Sequence, residues 1–132
     1  MIDIEAQVYS PIRTALVTEF PGIYVASEPT AKDAHFPAVS IVQQDNYVSL
    51  NKRDNSGRER FATVMFQVDV YSNKASGKKS QCKEILNVID TMLFDLNFTR
   101  ISLAPIPMDN EGYYRLTARY RAETDGTNLY TI

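Results

Sequence analysis

The chain has one cysteine and one histidine in 132 residues, and both shortages narrow its chemistry. A lone Cys82 excludes an intramolecular disulfide and a metal cluster built on cysteines. A lone His35, in a loop flanked by proline and beside Asp33, lacks the partners that a metal or catalytic site requires, so it reads as a structural or exposed residue. Cys82 falls on an apolar helical stripe and reads as a small buried hydrophobe, not a nucleophile. Carboxylates are not paired either: Asp45, Asp69, Asp90 and Asp95 are spread over three elements, with no paired-carboxylate motif for general acid–base work. Ser76-Gly77-Lys78-Lys79 lacks the full glycine pattern of a phosphate-binding loop. No apolar run approaches the roughly 18 residues of a membrane span. The start, Met1-Ile2-Asp3-Ile4-Glu5, lacks the basic residues and apolar run of a signal peptide, so a cytoplasmic setting is expected. The expectation is a protein that acts by binding, with no enzymatic activity, cofactor or metal.

What is present describes one soluble domain. Hydrophobic residues make up 44% and charged residues 23%, the ordinary balance of a globular chain, and the length suits a single unit. Net charge is only −2, too small to imply a polyanion partner, but it is unevenly placed. Residues 1–35 hold Asp3, Glu5, Glu19, Glu28 and Asp33 against Arg13 and Lys32. Residues 51–60 hold Lys52, Arg53, Arg58 and Arg60 against Asp54 and Glu59. An acidic patch and a basic patch on one chain suit head-to-tail self-association.

Periodicity predicts the elements. Ile4, Val8, Ile12, Ala15 and Leu16 share one face of a helix over 2–20. Pro11 either kinks it or opens a second piece capped by Ser10, and Pro21-Gly22 ends it. A short strand follows at 23–26, a loop at 29–37, and a strand over 38–50 whose alternation slips at Gln44-Asp45-Asn46, predicting a bulge or bend. Residues 51–60 have no apolar anchor and predict an exposed, mobile loop between antiparallel strands. Over 61–72, Ala62, Val64, Phe66, Val68 and Val70 alternate with Thr63, Gln67 and Asp69, as in a central strand with one buried face. The next helix, about 75–97, lines up Cys82, Ile85, Leu86, Ile89, Met92, Leu93 and Leu96. Its early lysines, Lys78, Lys79 and Lys83, sit where the helix dipole disfavours cations, which asks for another reason such as a partner. Residues 99–108, with Pro105 and Pro107, predict an edge strand, and 109–112 a turn. Over 113–122, Tyr114, Leu116, Ala118 and Tyr120 point inward and Arg115, Thr117, Arg119 and Arg121 outward. The segment 125–132 is expected to be loose unless docked on a neighbour.

The fold class expected is α+β, a mostly antiparallel sheet with two helices packed on one face in the order α-β-β-β-α-β-β. Phe66, Val68, Leu86, Ile89, Leu93, Leu116 and Ala118 are its expected core. Arg115, Arg119 and Arg121 form the clearest polar signal, suited to a partner's acidic groups or a nucleic-acid backbone. The inward tyrosines leave that face without the exposed aromatics of single-strand binders, which favours protein contact or solvent.

The run Phe66-Gln67-Val68-Asp69-Val70-Tyr71-Ser72-Asn73-Lys74, with Gly77-Lys78-Lys79 and the helix after it, resembles small proteins of the head-tail connector region of long-tailed phages and prophages. Asn97-Phe98-Thr99-Arg100, Tyr114-Arg115-Leu116-Thr117-Ala118-Arg119-Tyr120 and Phe36-Pro37-Ala38-Val39-Ser40-Ile41 extend the resemblance over most of the chain. It is most similar to the tail terminator, or tail completion, class. The resemblance implies a virion structural protein at the head-tail junction, assembled in the host cytoplasm. It implies a homo-oligomeric ring, a hexamer in that class, that stops tail-tube polymerisation and meets the tube protein on one side and the head connector on the other. Other head-tail joining proteins are of similar size and remain an alternative, as does a nucleic-acid-binding accessory protein. The assembly-interface candidates are Lys52, Arg53, Arg58, Arg60, Arg115, Arg119 and Arg121.

Overall fold

The alternation at 61–72 becomes the central strand of a six-stranded sheet. A computed structural model describes residues 1–28, 35–48, 61–106 and 112–131. In chain order these form α1 (Glu5–Glu19), β1 (Tyr24–Ala26), β2 (Ala38–Val48), β3 (Ala62–Ser72), α2 (Lys78–Asp95), β4 (Thr99–Ile106), β5 (Tyr114–Thr124) and β6 (Leu129–Tyr130). The sheet order is β1-β2-β3-β5-β4, with β6 pairing β5 off that path. Only β1 and β2 pair in parallel; the other pairings are antiparallel. The expected α+β architecture is the one observed.

Apolar alternation explains the layering. Val64, Phe66, Val68 and Val70 of β3, Leu116, Ala118 and Tyr120 of β5 and Val39 and Ile41 of β2 all join one buried cluster. Val8, Ile12 and Leu16 of α1 and Cys82, Ile85, Leu86, Ile89 and Leu93 of α2 complete it. Both helices therefore cover the same face. Fully burying each such side chain contributes about 1.5–3 kcal/mol, which offsets the entropy of ordering it. All seven expected core residues are buried.

Local chemistry sets the boundaries. α1 runs unbroken through Pro11, so Ser10 caps no second piece; its carbonyl instead accepts the Thr14 hydroxyl at 3.0 Å. At the start of α1, Asp3 Oδ1 accepts the Glu5 N–H at 3.1 Å, satisfying one of the free donors of the first turn. α2 begins after Gly77, whose φ of 89° is left-handed, a conformation glycine adopts without steric cost. It ends at Asn97, also left-handed at φ 69°. There the Asn97 N–H donates to Phe94 O at 3.0 Å and the Phe98 N–H to Leu93 O at 2.9 Å. This is the doubled closure that satisfies the last helical carbonyls.

The slip expected near Gln44 is a bulge between Gln43 and Asp45 in the β2–β3 ladder. β4 is an edge strand, as Pro105 requires, with that proline opposite Leu116. The segment after 124 departs from expectation. It is docked as β6, with Asn128 and Thr127 donating N–H bonds to Asp125 Oδ1 at 2.7 and 2.9 Å. Asn97 Nδ2 ties it to α2 through Leu129 O at 2.8 Å. Two strand residues are too few to register as alternation, and their anchors are polar. The expectations for 51–60, the proline-flanked part of 29–34 and the turn before Gly112 lie outside the described residues.

Candidate assembly interface

The helix-free face of the sheet is where the arginine strand sits, and its register decides what that strand can do. The β3–β5 pairing sets Asp69 against Thr117, Gln67 against Arg119, Met65 against Arg121 and Tyr71 against Arg115. Asp69 is the hub. Arg115 Nε and a second guanidinium nitrogen both lie 3.0 Å from Asp69 Oδ1, the Thr117 hydroxyl donates to the same oxygen, and Gln67 Nε2 donates to Oδ2 at 2.9 Å. Gln67 Oε1 in turn accepts from Gln44 Nε2 at 2.6 Å and from Arg119 Nε at 3.2 Å. One polar ladder thus crosses β2, β3 and β5.

The helix-free face is therefore not uniformly solvated. Asp69, Thr117 and Thr63 are buried and Arg115 is half-buried. Arg115 also lies over the Tyr71 ring, 5.5 Å from its centroid, within an aromatic trio of Phe36, Tyr71 and Tyr113. Its charge is spent on structure. Arg119 is exposed, and the half-buried Arg121 keeps a buried Nε without a hydrogen-bond partner. Of the predicted arginine row, Arg119 and Arg121 are the members best placed to meet a partner. Lys52, Arg53, Arg58 and Arg60 lie outside the described residues.

The two outer edges of the sheet carry opposite charge. Between α2 and the edge strand β4 runs a groove of about 390 Å³, floored by Leu86, Leu103 and Leu116 and rimmed by Lys79, Lys83 and Arg100. Arg100 is held by Asp90 at 3.1 Å, and the Tyr120 hydroxyl donates to the same carboxylate oxygen at 2.7 Å. Burial, and then the bond to Asp90, push the Tyr120 phenol well above its ordinary range. Lys79 and Lys83 have no ionic partner among the described residues. Leu103, in the groove lining, is 45% exposed, and Phe94 of α2 is 74% exposed. At the other edge, where α1 starts beside β2, two hollows of about 380 and 320 Å³ share Asp3 and Glu5, and the second also takes in Asp45.

Catalytic readings gain nothing from the geometry. Burial pushes the Cys82 thiol up to about 12, the opposite of an activated nucleophile. His35 Nε2 sits 2.9 Å from Gly22 O, and its ring meets Tyr24 edge-on. Among the described residues no three His, Cys, Asp or Glu side chains gather to hold a metal ion, and no helix is long and apolar enough to cross a membrane. The buried hub Asp69 escaped the sequence reading because its partner Arg115 lies 46 residues away and only the β3–β5 register joins them. The groove lysines did leave a signal, as cations at the wrong end of a helix.

No family model matches the chain, and no curated protein matches it either.

Proposed function

We propose that this chain is a phage virion assembly protein. It forms a ring on the head-proximal end of the tail tube, stops tube growth and offers the joining surface for the head. The observation that carries this reading is the order helix, three strands, helix, three strands, the last of only two residues, with both helices on one sheet face. It is similar to the order helix, strands, helix, strands implied by the resemblance of 66–74, 97–100 and 114–120 to tail terminators. A ring requires two different, mutually complementary patches on each subunit, and the opposed charges of the two sheet edges support it. Six copies in the ring follow the resemblance. Modest contacts suffice, because several identical ones engage together on the tube.

The protein acts as a stoichiometric cap. In infected cells lacking it, tails grow overlong and remain unjoined to heads, which electron microscopy of lysates would reveal. Tails of normal length that merely fail to join would replace this reading with another head-tail connector role. Normal tails with normal joining would reject both. A gel-shift titration over a salt series checks the nucleic-acid alternative: strong, salt-steep DNA binding would favour it.

A further inference from the structure

We infer that the groove between α2 and β4 is one half of a heterologous contact between copies, and that its occupant is the acidic start of α1, with the neighbouring stretch of β2, on a second copy of this chain. The closure of that contact into a ring rests on the reading above; the contact itself does not.

Three observations converge on it. First, the groove is apolar inside and cationic at its rim; among the described residues Lys79 and Lys83 have no ionic partner and Asp90 alone balances Arg100. Two lysines near the N-terminal end of α2 are disfavoured by its dipole, and a partner's carboxylates would relieve that cost. Second, the hollows at the other edge present Asp3, Glu5 and Asp45, with no lysine or arginine among the described residues lining them and the Met1 α-amino group as the one described cation at the second. Lysine is suited to such hollows, since its flexible stem carries a compact charge into a concave surface. Third, the strand order puts the two surfaces on opposite edges. β4 terminates one side, and β2 beyond Ser40 is left uncovered by the three-residue β1 on the other. Patches on opposite edges cannot meet within one subunit, and they cannot form an isologous pair. They join one copy to the next in a single direction, which is a heterologous contact. The half-exposed Leu103 supplies an apolar margin.

The test is a charge swap read by mass in solution. One variant carries Lys79→Glu and Lys83→Glu; the other carries Glu5→Lys and Asp45→Lys, which leaves the Asp3 bond to the helix start intact. Circular dichroism and melting confirm that both fold. Wild type is expected to associate as its concentration rises at low salt, and less so at high salt. Each variant alone associates roughly tenfold more weakly or worse, since like charges then face each other. An equimolar mixture of the two regains association, because every contact in an alternating chain again pairs opposite charges. The inference is overturned if either folded variant alone associates like wild type. It is also overturned if the mixture stays monomeric while wild type associates, or if wild type stays monomeric up to its solubility limit. A recovered mixture together with normal tails in cells lacking the protein would uphold this contact and reject the terminator reading alone.

Discussion

Asp69 shows how one side chain can hold two strands in register. Its carboxylate is buried yet takes bonds from Arg115, Thr117 and Gln67, so its lone pairs are answered as burial requires. Asp69→Ala strands the half-buried Arg115 guanidinium beside Tyr71 and is expected to cost about 1–3 kcal/mol in urea unfolding, with Asp69→Asn costing less. Arg119→Glu, at an exposed site on the same strand, should leave stability within about 0.5 kcal/mol of wild type. Cys82 gives a pH signature. Its thiol is raised by burial from 9.0 to about 12, so the fold favours the protonated form. The stability this contributes is complete below the unfolded value of 9.0 and is lost as pH rises through about 12. Wild type should therefore lose stability above pH 9 more steeply than Cys82→Ala, and its thiol should resist alkylation until the chain is unfolded. Asp125 acts with the opposite sign. The N–H groups of Asn128 and then Thr127 hold its carboxyl below the ordinary 3.8. Its contribution is present above that value and fades as acid protonates it.

Among the elements, α2 was the most legible from sequence and the β6 hairpin the least. A stripe of five buried residues at helical spacing leaves few alternatives, and the clean alternation of β3 leaves few more. Leu93→Ala or Phe66→Ala, each removing a fully buried side chain, should cost roughly 2–5 kcal/mol in thermal or urea unfolding. The end of α2 depends on a backbone conformation, not on packing alone. Asn97 at φ 69° tolerates what alanine does not, so Asn97→Ala should cost about 1–2 kcal/mol, plus the bond to Leu129. Asn97→Gly should recover the backbone part and lose only that bond. The bulge near Gln44 and the edge character of β4 were readable because slipped alternation and proline have direct backbone meanings. β6 was not, because its two residues are held by a polar turn and by Asn97. The polar ladder of the helix-free face was half readable. Strand alternation placed Arg115, Arg119 and Arg121 together on it. Which of them is exposed and which is held by Asp69 depended on a pairing between strands far apart in the chain.

At the scale of the whole molecule, the sheet is closed on one face by helices, laddered with polar bonds on the other and, among the described residues, open along β4 and along β2 beyond Ser40. A small domain of this kind can meet neighbours laterally without rearranging its core, so its isolated fold and its assembled fold should be alike. Hydrogen exchange checks this: on association, protection should rise along β4 and around residues 41–46 while the already slow amides of β3 change little. The position of β3 has one more consequence. Its neighbour on one side, β2, precedes it and is ready as soon as β3 leaves the ribosome. Its neighbour on the other side, β5, is separated from it by α2 and β4 and arrives only when residues 114–124 have been made. During that interval of synthesis the nascent chain carries an uncapped strand edge beside Phe66, Val68 and Val70, the surface most prone to pair with another unfinished chain. Stalled chains ending before residue 114 should therefore be the ones that bind chaperones and aggregate, while chains released after residue 124 escape both.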